Sequence, residues 1–171
     1  MSTFSYQVIK DTNQKAVIKL TGQFTDGTQE ANTARIQANT LYGALDANGN
    51  FLVSGNTSLD YYGLEISKVW YDVNVSGGHV SLFWSGNGGG VNNSPILVAS
   101  KTGNWNEHGS YSNITNNAVD PNGDIGIETV GASANSSYSI IIELRKDNST
   151  YSRGQLEEPA AFNYGRFGVT P

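Results

Sequence analysis

Apolar and polar residues alternate along much of this chain with the period of two that a half-buried β-strand requires. In AVIKL at 16–20, Ala16, Ile18 and Leu20 fall on one face and Lys19 on the other. The run GLEISKVWYDVNV at 63–75 sets Val69, Tyr71 and Val73 opposite Trp70 and Asp72, which predicts a strand covered on both sides. HVSLFWS at 79–85 places Val80, Leu82 and Trp84 on one face, and Gly77 and Gly78 just before it predict a hairpin turn to the preceding strand. PILVAS at 95–100 reads as a short strand opened by its proline. Ile125, Ile127 and Thr129 alternate with Asp124, Gly126 and Glu128, and Ile140, Ile142 and Leu144 alternate with Glu143 and Arg145; flanking GASANSS at 131–137, these two runs read as a second hairpin. TQEANTARIQANT at 28–40 has room for a turn or two of helix but lacks an apolar stripe at helical spacing. About eight short strands with turn signals between them predict an all-β fold, a two-sheet antiparallel sandwich of jelly-roll-like connectivity.

After Lys146 the alternation stops, so the compact domain is expected to span 1–147 and residues 148–171 to form a C-terminal extension or arm. Past Pro159, the side chains of Phe162, Tyr164, Arg166 and Phe167 are interspersed with small or polar residues. Ordering a backbone residue costs about 1–2 kcal/mol, so such a segment has to dock to be useful. These four residues are therefore the candidate contact with a neighbouring subunit, either as an added strand or as aromatic anchors.

Composition narrows the function classes. The chain has 171 residues, enough for one domain that buries about 70% of its unfolded surface. Only 15% of residues are charged, and Gly, Asn, Ser and Thr crowd the turns between strands. With no cysteine there is no disulfide framework, zinc ribbon or thiol nucleophile. A net charge of −5 argues against a nucleic-acid partner, because neutralising phosphates takes clustered Lys and Arg. The opening residues MSTFSY carry neither a basic nor an apolar signal region, and the longest apolar runs fall far short of the roughly 20 residues of a membrane span. A protein made and kept soluble, with no membrane partner, is expected.

No catalytic constellation emerges. The two histidines, His79 and His108, have no nucleophile context such as a GxSxG elbow, and structural or solvent-facing roles are expected of both. DANGN at 46–50 and DPNGD at 120–124 resemble the start of a calcium loop, but neither is followed by the closing Glu, so both read as Asx-Gly turns and no metal or cofactor is expected. SGNGGG at 85–90 lacks the Lys and Ser/Thr of a phosphate loop and reads as a loop tip between strands. Carbohydrate binding has better material. Trp105 lies in the polar segment GNWNEHGSY at 103–111, and Tyr61 with Tyr62 could add a second stacking platform. The competing role for Trp105 is to cap the open end of the sandwich core.

Three segments, KAVIKLTGQFTDGTQEAN at 15–32, LEISKVWYDVNVSGGHVSLFWS at 64–85 and NGDIGIETVGASANSSYSIIIELRKD at 122–147, together resemble small virion structural proteins of marine tailed phages. The chain departs from that pattern by an insertion around Leu45 to Tyr62 and by the extension after Lys146. The resemblance implies a particle component and does not say which one: decoration of the capsid, attachment at the neck and a tail or baseplate accessory all fit, and the leading expectation is a non-enzymatic capsid decoration or cement protein made in the host cytoplasm and located in the virion. Its implied partners are other virion proteins, the major capsid protein first, and further copies of itself, a trimer among the options. The alternative is a tail- or neck-associated module that binds a carbohydrate or receptor.

Overall fold

The computed structural model describes residues 2–31, 33–106 and 113–152. Nine strands run through them: β1 (Thr3–Asp11), β2 (Lys15–Gln23), β3 (Thr33–Ile36), β4 (Leu64–Asn74), β5 (His79–Gly86), β6 (Ser94–Ala99), β7 (Gly103–Asn106), β8 (Pro121–Val130) and β9 (Ser137–Lys146). Two antiparallel sheets, ordered β1-β2-β9-β4-β7 and β3-β8-β5-β6, pack as a sandwich, with no α-helix among the described residues. The pairings nest: β2 with β9, β3 with β8, β4 with β7 and β5 with β6. Within 28–40, Thr33–Ile36 form β3 and Ala38–Thr40 a single 3-10 turn.

The alternating runs bury the faces that their period predicts. Ala16, Ile18 and Leu20 of β2 and Ile140, Ile142 and Leu144 of β9 face inward against Val80, Leu82 and Trp84 of β5 and Ile125 and Ile127 of β8. Phe83, on the other side of β5, is buried as well, because its ring lies across Gly126, where an added Cβ would meet it at 2.2 Å. On β4 the expectation of cover on both sides fails: Val69 and Val73 are buried, but Trp70 is 41% exposed on the outer face.

Both predicted hairpins are corrected. β4 belongs to the five-stranded sheet and β5 to the four-stranded one, so Gly77 and Gly78 carry the chain across the sandwich; β8 and β9 are divided in the same way. The glycines answer to a different demand. A Cβ on Gly78 would lie 2.0 Å from the Val130 carbonyl oxygen and 3.0 Å from Gly131 Cα, so the β4–β5 and β8–β9 corners touch backbone to backbone. Gly77 and Gly131 both take positive φ there.

The expected domain end at 147 also moves. Tyr151 is fully buried, bridges to Ala44, and donates its hydroxyl to Ala38 O at 2.7 Å. Its ring packs 5.6 Å from that of Tyr62. The sandwich therefore includes residues through Ser152, whose N–H donates to Gly43 O at 2.7 Å.

Candidate binding surfaces

The extended approach to β4 turns two adjacent tyrosines opposite ways. Tyr62 is 2% exposed, donates its hydroxyl to Leu45 O at 2.7 Å and accepts from Leu59 N at 3.1 Å. It is a core residue with no face free for a ligand, which corrects its expected role as a stacking platform. Tyr61, 38% exposed, instead lines a cleft of about 450 Å3. Glu65, Asn116, Arg145 and Asp147 line it too.

Strand pairing builds this cleft. β4 and β9 run antiparallel with Glu65 opposite Arg145 and Leu64 opposite Lys146, while a bridge between Ile66 and Ile114 brings the 113–118 segment alongside. Asp147 N donates to Gly63 O at 2.9 Å, and the absence of a side chain at Gly63 makes room for Asp147, whose Cβ would be 2.5 Å from an added Cβ. Glu65 Oε2 accepts from Asn113 Nδ2 at 2.6 Å. Asn116 Oδ1 accepts from Ala118 N at 2.9 Å, which fixes the amide and leaves its buried Nδ2 without a protein partner. Burial, then the charges of Asp147 and Glu65, push the Tyr61 hydroxyl pKa upward, so it stays protonated at neutral pH. Lys146 contributes no ammonium here. Its Nζ is turned inward to Asp11 Oδ1, to Thr12 O and Tyr42 O at 2.7 Å each, and over the Tyr151 ring.

Trp105 does not join Tyr61. It stands on β7 in register with buried Val69 and packs half-buried against the core. His108 lies outside the described residues. The exposed indole on this sheet is Trp70, which the period-two pattern places on a covered face.

A second surface is apolar. β1 forms one edge of its sheet, and Tyr6, Val8 and Ile9 are 41%, 44% and 52% exposed. Tyr6 and Val8 pair with Leu20 and Ile18, so they share the inward face, yet short β3 leaves them uncovered. At the far end of β1, Asp11 Oδ2 accepts from Tyr42 N at 2.8 Å. Tyr42 and Phe51, both exposed, then line a groove of about 480 Å3 floored by Leu41, Ala44 and Leu52. The described chain ends beside it at Ser152. Phe162, Tyr164, Arg166 and Phe167 lie outside the described residues.

DANGN at 46–50 is a turn, whereas DPNGD at 120–124 is not: Asp120 is a bend at positive φ and residues 121–124 already belong to β8, which corrects the expected turn there. Asp46 Oδ1 accepts from Asn48 N and Asn50 N at 2.9 Å each and Oδ2 from Asn56 Nδ2 at 2.7 Å, and these bonds hold its carboxyl below the usual range. Asp124 Oδ1 accepts from Ala38 N at 2.8 Å, so its polar capacity serves the 3-10 turn. The SGNGGG segment joins β5 to β6 with Gly88, Gly89 and Gly90 all at positive φ. Among the described residues no helix is long and apolar enough to cross a membrane.

No protein-family model, curated protein or solved structure matches the chain.

Proposed function

We propose that this chain is a structural protein of a phage particle, a capsid decoration or cement protein that binds the assembled head and its own copies. The observation that carries the reading is the uncovered apolar margin formed by Tyr6, Val8 and Ile9 on β1 together with Tyr42 and Phe51 at its end. Monomeric proteins blunt such an edge with charge, proline or a covering element. β1 has no proline, Lys10 is the one lysine along it, and a single register shift at Ile9 is its one irregularity, which leaves Tyr6 and Val8 in regular pairing and exposed. A margin of this kind suits strand addition or anchor burial by another chain.

Connectivity adds support. Nested pairing of β2 with β9 through β5 with β6 supports a jelly-roll reading of the sandwich, an architecture shared by viral capsid and lectin domains, so the fold alone does not choose between them. A cement protein stabilises a shell by binding the assembled state in preference to free subunits, which requires surfaces and no catalytic groups. The described chain ends at Ser152, bonded to Gly43 beside the Tyr42–Phe51 groove, and Phe162, Tyr164, Arg166 and Phe167 follow in the sequence as candidate anchors for a neighbouring chain.

Cosedimentation with purified heads and tails tests the reading. Binding to heads, weakened by Val8→Lys with Ile9→Lys, is expected. Binding to tails alone would favour the tail- or neck-associated receptor module.

A further inference from the structure

We infer that the cleft between the Tyr61 segment and β9 binds a neutral or amino sugar unit of a glycan. This goes beyond the particle role and holds wherever on a particle the protein sits. Three features of the cleft agree on that ligand class. Tyr61 supplies an exposed aromatic ring at its margin, the group that packs against the C–H face of a pyranose. Glu65 and Asp147 supply carboxylate acceptors for ring hydroxyls, from chain positions that β4·β9 pairing brings together. Each is already oriented by one protein donor, Asn113 Nδ2 on Glu65 and Ser149 N on Asp147 Oδ1, so neither has to be ordered by the ligand. Tyr61 lines the same cleft, and its protonated hydroxyl adds a donor there.

Charge selects among sugars. Among the described residues, two carboxylates and one guanidinium, Arg145, line the cleft, because the Lys146 ammonium is committed to Asp11 and two carbonyls inside the fold. The net negative cleft disfavours sialic and uronic acids, accepts neutral hexoses and favours amino sugars. Its volume of about 450 Å3 suits one or two sugar rings rather than a long chain.

The test is titration of the full chain with glucose, galactose, N-acetylglucosamine, glucosamine and sialic acid, followed by a glycan array. Binding to neutral or amino sugars and none to sialic acid is expected. Tyr61→Ala should weaken it about tenfold, the scale of a lost stacking contact, with an unchanged melting temperature because Tyr61 is exposed. Glu65→Gln should weaken glucosamine more than glucose. Trp70→Ala, on the outer face of the same sheet, should leave binding intact. Absence of any sugar binding, preference for sialic acid, or dependence on Trp70 instead of Tyr61 would each overturn the assignment, and none of them bears on whether the protein binds heads.

Discussion

The side-chain ammonium of Lys146, fully buried, is bonded to the carboxylate of Asp11, a residue 135 positions earlier in the chain. The same nitrogen donates to Thr12 O and Tyr42 O at 2.7 Å each, so one residue of β9 holds the end of β1, the β1–β2 turn and the Tyr42 groove in place. Removing one partner of a buried ion pair costs about 3–5 kcal/mol, because the other is left uncompensated. Lys146→Ala is expected at the lower end of that range, since Asp11 keeps partial access to water. Urea denaturation measures it, and a loss below about 1 kcal/mol would show that this hub carries little of the fold.

Alkaline stability depends on two buried phenols. Burial, then the Glu30 bond and charge, raise the Tyr138 pKa, and burial, then Tyr62, raise that of Tyr151. A folded pKa above the unfolded value of 10.0 means that the folded state binds more protons once pH passes that point. The stabilisation is therefore complete below pH 10.0 and lost as pH rises beyond it. Melting temperature should fall steeply above that pH, with Tyr138 and Tyr151 ionising only as the protein unfolds. A phenolate absorbance change that precedes unfolding and accounts for all nine tyrosines would contradict the burial of these two.

The contact between the two inter-sheet corners predicts a sharp contrast between glycines. Gly78→Ala forces a Cβ to within 2.0 Å of Val130 O, and backbone has to move, at about 1–3 kcal/mol or more. At Gly27, where nothing lies within 4 Å of an added Cβ, the same change should be nearly neutral. Equal effects at both sites in thermal melting would mean that the corners are not in contact.

These corners also show where the sequence stops speaking. Alternation in β2 and β9 identifies Ile18, Ile142 and their neighbours as core, because a period of two is a local property of a strand. Which sheet a strand joins is not local. Gly77 and Gly78 carry the same residue signal whether they close a hairpin or let two corners cross, and only the distant Val130 decides between these. β1 shows the opposite failure: Phe4, Tyr6 and Val8 do alternate, and the run is readable as a strand. The Tyr61 cleft is only half legible. The sequence offers the tyrosines, but Tyr61 and Tyr62 are distinguished by Leu45 and Tyr151, and Asp147 and Asn116 arrive through pairings far along the chain.

Truncation separates the sandwich from the C-terminal segment. Ending the chain after Ser152 keeps Tyr151 and its bond to Ala38, so a folded domain with a near-native melting temperature is expected, one that no longer self-associates in light scattering. Ending it after Asp147 removes Tyr151 and the Thr150 hydroxyl that accepts from Gly63 N, and should destabilise by roughly the 3–5 kcal/mol of losing a buried aromatic. Self-association that survives truncation after Ser152 would remove residues 153–171 from the interface.

Whether this protein decorates a head is decided by electron cryomicroscopy of the source particle. A two-sheet sandwich is expected in many copies over the head, with the β1 edge and the Tyr42–Phe51 groove turned toward a neighbouring chain. Density confined to the tail, or a sandwich whose β1 margin faces open solvent, would contradict it.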